Sequence, residues 1–190
     1  MESVSIEEAK NMSETVKDIF EGVHKVLLTH CKLNNKAMCA VQSLGYNGFK
    51  RWHRYRSKCF FDLDTKLANE LYDKFRIKAD FKDYEVAYSP NGIEEHLRSW
   101  QKAILDGIQE LGTLGKDFYE TAGMNCGVVD CAMKKMGKDY EKVSRYIKRF
   151  TESDWLTLDM HIVDDKLHDK YKAKEEGKQW NPLEVMLGKK

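Results

Sequence analysis

Residues Leu44–Phe75 read LGYNGFKRWHRYRSKCFFDLDTKLANELYDKF and hold the densest aromatic and basic content of the chain. In the second half Leu63, Leu67, Leu71 and Phe75 recur every four residues, with Phe60 one turn earlier, which is the spacing of an apolar stripe on an α-helix. A stripe of that kind must be buried against others like it. The first half differs, because Lys50, Arg51, Arg54, Arg56 and Lys58 are threaded between Tyr46, Phe49, Trp52 and Tyr55. That mixture suits a helix whose rings enter the core while its cations reach for water, and it equally suits a binding surface.

Working outward, the same periodicity continues on both sides. Ser5-Ile6-Glu7-Glu8 has the form of a capping box and predicts a helix start. Met12, Val16, Ile19, Phe20, Val23, Val26, Leu27 and His30 then share one face of a helix running to about Leu33. Asn34-Asn35 either caps a new helix or kinks the first, and a break is expected at Gly45-Tyr46-Asn47-Gly48. After Phe75 the period is lost, and Ser89-Pro90-Asn91-Gly92 supplies turn chemistry, so a long crossover is expected between the second and third helices. Asn91 with Glu94 offers another capping arrangement before a third helix marked by Ile93, Leu97, Trp100, Ile104, Ile108, Leu111, Leu114 and Phe118. A fourth stripe runs from Val128 to Phe150, and Trp155, Leu156, Met160, Val163, Leu167 and Tyr171 either extend it or form a fifth helix. The fold class that follows is all-α: an antiparallel four-helix bundle with an additional or broken helix, one domain over residues 1–176 and a C-terminal tail over 177–190.

Composition narrows the partners. The chain has 190 residues, 32 Lys and Arg against 31 Asp and Glu, and a net charge of +1, so no global field draws it to nucleic acid or a membrane. Any such contact has to be local. The five cysteines form an odd set without a CxxC pair, and the acidic start MESVSIEEAK lacks the pattern of a signal peptide. No apolar run approaches the length that spans a bilayer. A cytoplasmic protein without membrane contact is expected.

Two carboxylate–histidine pairs, Glu21-x-x-His24 and Asp165-x-x-His168, have the spacing that di-iron bundles use. At 100° per residue, Glu21 points roughly 150° and His24 roughly 90° from the apolar direction of the first helix, which predicts that both look outward. Asp165 lies roughly 160° from the apolar direction of its own stripe, again on the solvated side. His30 is different, since it falls on the apolar face and needs a partner there. Were a metal bound, His30 would have Asp62, Asp64 and Glu70 on the second helix and Asp106 and Glu110 on the third as carboxylate company. Cys126 and Cys131 lack zinc spacing, and no phosphate loop, catalytic triad order or nucleophile elbow occurs. The run Lys50, Arg51, Trp52, Arg54, Tyr55, Arg56 and Lys58 is the candidate surface for nucleic acid or a protein partner, with cations for phosphates and rings for stacking.

The segment Trp52-His53-Arg54-Tyr55-Arg56-Ser57-Lys58-Cys59-Phe60-Phe61-Asp62-Leu63-Asp64, continuing to Asn69-Glu70-Leu71-Tyr72-Asp73, resembles the helix-A-to-helix-B junction of the ferritin-like DNA-protection proteins, the mini-ferritins. Those proteins carry a His-Trp pair, a Phe, a Leu-His pair and an Asp before an E-L-Y-like run. The match covers some twenty of 190 residues. The pair is reversed here as Trp52-His53, Asp64 stands at the place of the second family histidine, and Ala68 at that of the family aspartate. The resemblance implies a ferritin-like bundle that binds iron, with His53 and Asp64 as the residues able to inherit ligand roles; ferroxidase chemistry is the activity it would bring. Three functions follow as expectations: a ferritin-like, iron-binding protein with a degenerate site, a metal-free scaffold or homo-oligomeric assembly subunit, and nucleic-acid contact through residues 46–58.

Overall fold

The computed structural model describes residues 5–152, and over that span the chain forms four helices, with no strand among the described residues. Helix α1 spans Ile6–Ser43, α2 Asn47–Phe75, α3 Ile93–Ala122 and α4 Gly127–Glu152. The stripe containing Trp155 and Tyr171, the Asp165–His168 pair and the tail all lie outside the described residues.

Helix α1 opens on the expected capping box, with the Glu8 amide donating to Ser5 Oγ at 3.2 Å and the Ser5 amide donating to Glu8 Oε2 at 2.8 Å. It then runs unbroken for 38 residues, about 57 Å of rod. Asn34 does not start a new helix. The side chain is buried and its Nδ2 donates to the His30 carbonyl one turn back, so the polar group is satisfied inside the helix. The break falls in the turn at 44–46, overlapping the expected Gly45–Gly48, and Gly45 has φ 88° there. At the head of α3 the expected pairing of Asn91 with Glu94 is replaced. Gly92 is the N-cap, and the Asn91 amide donates to Glu95 Oε2 at 3.0 Å, one residue further along.

Four neighbouring seams close the bundle, and each has a marker contact. On the α1–α2 seam Asp64 meets His24, Ser57 meets Cys31 and His53 meets Asn34, so numbers fall along α2 as they rise along α1. On the α1–α3 seam Phe118 packs edge-on against Phe20 at 5.5 Å, while a Cβ on Gly107 would lie 2.5 Å from His30 Nε2, so only a residue without a side chain fits beside that ring. Gln101 donates to Ser144 Oγ across α3–α4, and Arg56 pairs with Asp139 across α2–α4. The core between them is continuous, from Phe20, Phe75 and Phe118 at one end to Phe49, Trp52, Trp100 and Tyr146 at the other.

Residues 76–92 join α2 to α3 without regular structure, and side chains of α1 fasten them down. Glu21 Oε1 accepts from the Lys82 amide at 3.0 Å and from the Tyr84 hydroxyl at 2.8 Å; Lys32 reaches Asp83 and the Tyr84 carbonyl. His24 is buried under this segment, stacked on Phe81 at 4.5 Å, with Nδ1 2.7 Å from Asp64 and Nε2 2.7 Å from the Lys82 carbonyl. The expectation that His24 faces outward is therefore corrected. It does point away from the bundle axis, but the crossover lies over it, and helical facing alone carries no information about a distant segment.

Candidate functional site

The polar feature buried deepest in the bundle is a chain of side chains drawn from α1, α2, the crossover and α3. His53 and His96 are both fully buried, with their Nε2 atoms 2.9 Å apart. His53 Nδ1 lies 3.0 Å from Asn34 Oδ1, and the Tyr88 hydroxyl bonds to His96 Nδ1. The donors can be ordered from one end. Because Asn34 uses its amide hydrogens on the His30 carbonyl, its oxygen faces His53, so His53 carries its proton on Nδ1 and accepts at Nε2. His96 must then donate from Nε2 and accept at Nδ1, where Tyr88 donates. Each link uses one hydrogen, every member is neutral, and no charge is needed.

The surroundings enforce that neutrality. Burial drives His53 well below the ordinary histidine range, with His96 beside it adding to the effect. Burial lowers His96 to about 4, and Trp100 and Phe49 pack edge-on or stacked around the pair. His30 is likewise lowered to about 4 by burial, opposed only by a hydrogen bond with the Ala103 backbone, and its ring sits between Phe60 and Trp100. Tyr88 is raised by burial first and by the nearby Glu95 second. A protonated imidazole in this chain would lose a donor–acceptor match and meet no anion.

The seven residues considered as metal ligands occupy separate environments, and Asp62 is exposed on α2. His30 sits against Gly107, and His53 is bound into the chain above. Asp64 is engaged by His24; burial raises its carboxyl while that hydrogen bond pulls it down. Glu70 binds Lys74 at 2.5 Å and lies 3.4 Å from the Gly127 amide, where it caps the start of α4. Asp106 pairs with Lys102 on the outer face of α3, and Glu110 is exposed one turn along. Among the described residues no three His, Cys, Asp or Glu side chains gather at a distance suited to an ion. No protein-family model matches the chain, and no curated protein matches it.

The basic and aromatic run of α2 divides between two fates. Trp52 is 6% exposed and belongs to the core, and Arg56 turns inward to hold Asp139 Oδ1 at 2.6 Å. Both are corrections to the reading of this run as one surface, and the reason is the helical period: positions 49, 52, 53, 56 and 60 face the other helices. Arg51, Arg54, Tyr55 and Lys58 remain exposed, and Lys50 is half-buried. Asp139 is 2% exposed; burial lifts its carboxyl to about 6, with the Arg56 guanidinium opposing that rise.

His96, Asn34, Tyr88 and Asp139 were not among the candidates. For His96 a signal existed, since it lies three residues after Ile93 and four before Trp100 and so shares their face. Asp139 lies three residues after Met136 and four before Val143, a charge inside an apolar stripe. Nothing local marks Tyr88, which enters from irregular backbone.

Proposed function

We propose that the chain is a ferritin-like, antiparallel four-helix bundle that acts as a non-catalytic interaction scaffold and not as a ferroxidase. The topology is supported by the opposed sense of the α1–α2 contacts, by Phe20 meeting Phe118 while His30 meets Gly107, and by the long crossover from α2 to α3. The observation that carries the functional half is the donor chemistry of the interior. A carboxylate-bridged iron pair takes glutamates or aspartates from several helices, all turned inward. The only buried carboxylate among the described residues is Asp139, and Arg56 already holds it. The middle of the bundle is filled by His30, Phe60, Trp100, Ile104 and Met136. Those residues do not fit the iron pair that the mini-ferritin resemblance implies.

The test is ferrous iron added to the full-length protein in air. Oxidation at the protein-free rate, with no iron retained after gel filtration, is the expected result. Accelerated oxidation with retained ferric iron would overturn the reading.

A further inference from the structure

We infer that the outer face of the α2–α4 seam docks the phosphate backbone of nucleic acid, an inference that rests on the scaffold reading and names its partner. Residues 50–58 and 134–149 together contain twelve of the 32 Lys and Arg but only two of the 31 Asp and Glu. The whole chain is +1, so an excess of ten positive charges in these two segments leaves the remainder acidic. The sequence shows them as two unrelated runs about eighty residues apart. The fold makes them one surface, because Phe49 and Trp52 both pack on Tyr146, at 5.7 and 6.4 Å, and Arg56 meets Asp139.

Three details set this face apart from a merely solvated one. First, one of the two acids in the block, Asp139, lies beneath the surface and is matched by Arg56, so Glu141 is the one exposed acid within the two segments, with Asp62 and Asp130 a turn beyond their ends. Second, Arg51, Arg54 and Lys58 on α2 and Lys134, Lys138 and Arg145 on α4 are exposed and enter no ion pair among the described residues; Lys10, Lys17, Lys36 and Lys66 share that property, so what distinguishes this face is that its cations are gathered on two adjacent helices. Third, Tyr55 stands 54% exposed at the seam, with the Arg56 guanidinium 5.5 Å from its ring centroid, so an aromatic face and a cation are presented together where a base and a phosphate would need them. An anionic bilayer fits less well. Surface binding to lipid inserts a broad apolar face, and on this side of α2 and α4 the exposed large hydrophobics among the described residues are Tyr55 and, one turn past Lys58, Phe61. Contacts made by lysine and arginine heads to phosphates read no sequence, so affinity should be indifferent to sequence and steep in salt.

The experiment is anisotropy of a labelled mixed-sequence duplex and of its single strand, titrated with full-length protein at about 50 and 150 mM salt. If all six cations engage, the duplex affinity should fall on the order of a hundredfold between those salts. The triple variants Arg51→Glu/Arg54→Glu/Lys58→Glu and Lys134→Glu/Lys138→Glu/Arg145→Glu should each weaken binding more than tenfold with unchanged circular dichroism. Lys10→Glu/Lys17→Glu on α1 should leave it unchanged. Loss in only one triple would remove the shared seam, and no binding at low salt would remove the surface. Displacement by polyglutamate at equal charge, or equal binding to vesicles of anionic phospholipid, would overturn the choice of nucleic acid. Iron retention in the ferrous assay would overturn the scaffold reading and leave the anisotropy untouched, so the two failures are distinguishable.

Discussion

The Nε2 atoms of His53 and His96 face each other at 2.9 Å inside a wall of aromatic rings, so one shared hydrogen separates two rings that cannot both be charged. Acid is therefore the condition that should unfold this protein. His96 and His30 are held at about 4 against an ordinary 6.5, and His53 is lowered as well. Groups with depressed values stabilise the fold fully above pH 6.5 and lose that contribution as pH falls through about 4. Asp139 runs the other way: raised to about 6 from 3.8, it favours the fold most at low pH and that contribution is lost as pH rises through 6. Three histidines outweigh one carboxyl, so the unfolding free energy from urea titrations should be level above pH 7 and drop between pH 6.5 and 4, by several kcal/mol in total. His96→Phe should lower stability at neutral pH by about 1–3 kcal/mol, because it orphans His53 and Tyr88, and should flatten the acid limb.

Glycine substitutions should separate space from propensity. A Cβ on Gly107 would come within 2.5 Å of His30 Nε2, a ring boxed in by Phe60 and Trp100, so Gly107→Ala should destabilise by about 1–3 kcal/mol. Gly137 lies in α4 with nothing within 4 Å of a Cβ there, so Gly137→Ala should stabilise by up to about 1 kcal/mol. Thermal melts of the two variants check the contrast. Opposite signs are expected.

The Arg56–Asp139 pair should behave as a buried charge pair. Arg56→Ala removes the cation that touches the buried Asp139, leaving only the more distant Lys142 and Lys135, and should destabilise by about 3–5 kcal/mol at pH 7.5. The deficit should shrink as pH falls, and should begin to do so above 6, because loss of the guanidinium lets burial raise the Asp139 carboxyl further. Arg56→Met combined with Asp139→Leu should recover most of the loss. Urea denaturation at the two pH values tests both statements.

The crossover depends on α1 for its place. His24 donates from Nε2 to the Lys82 carbonyl, which can only accept, and shares a proton with Asp64 through Nδ1. His24→Ala removes both bonds and the stack on Phe81, so amide exchange over residues 81–84 should speed up while the core of α3 keeps its protection. Equal acceleration in both would mean that the segment opens only with the whole bundle.

Much of this architecture is legible in the sequence. The period of Leu63, Leu67, Leu71 and Phe75, the box at Ser5–Glu8 and the loss of period after Phe75 each reflect physics confined to one helix or one turn. The partners of polar residues are not confined in that way. His24 is covered by residues about sixty positions later, Arg56 is claimed by an aspartate on α4, and Tyr88 approaches His96 from irregular backbone. Facing angles report where a side chain points, and only tertiary contact decides what it meets. The metal candidates were chosen by residue type on plausible faces. The fold gives Asp64, Glu70 and Asp106 to His24, to Lys74 and the start of α4, and to Lys102.

The first turns of α1 have mechanical meaning. From Ile6 to Thr15 no residue is buried among the described residues, so about 15 Å of helix precedes the packed core they form. A load applied there would unwind those turns before it reached Val16 and Phe20, where packing begins. Among the described residues, then, α1 starts as a lone helix and becomes a packed one only at Val16.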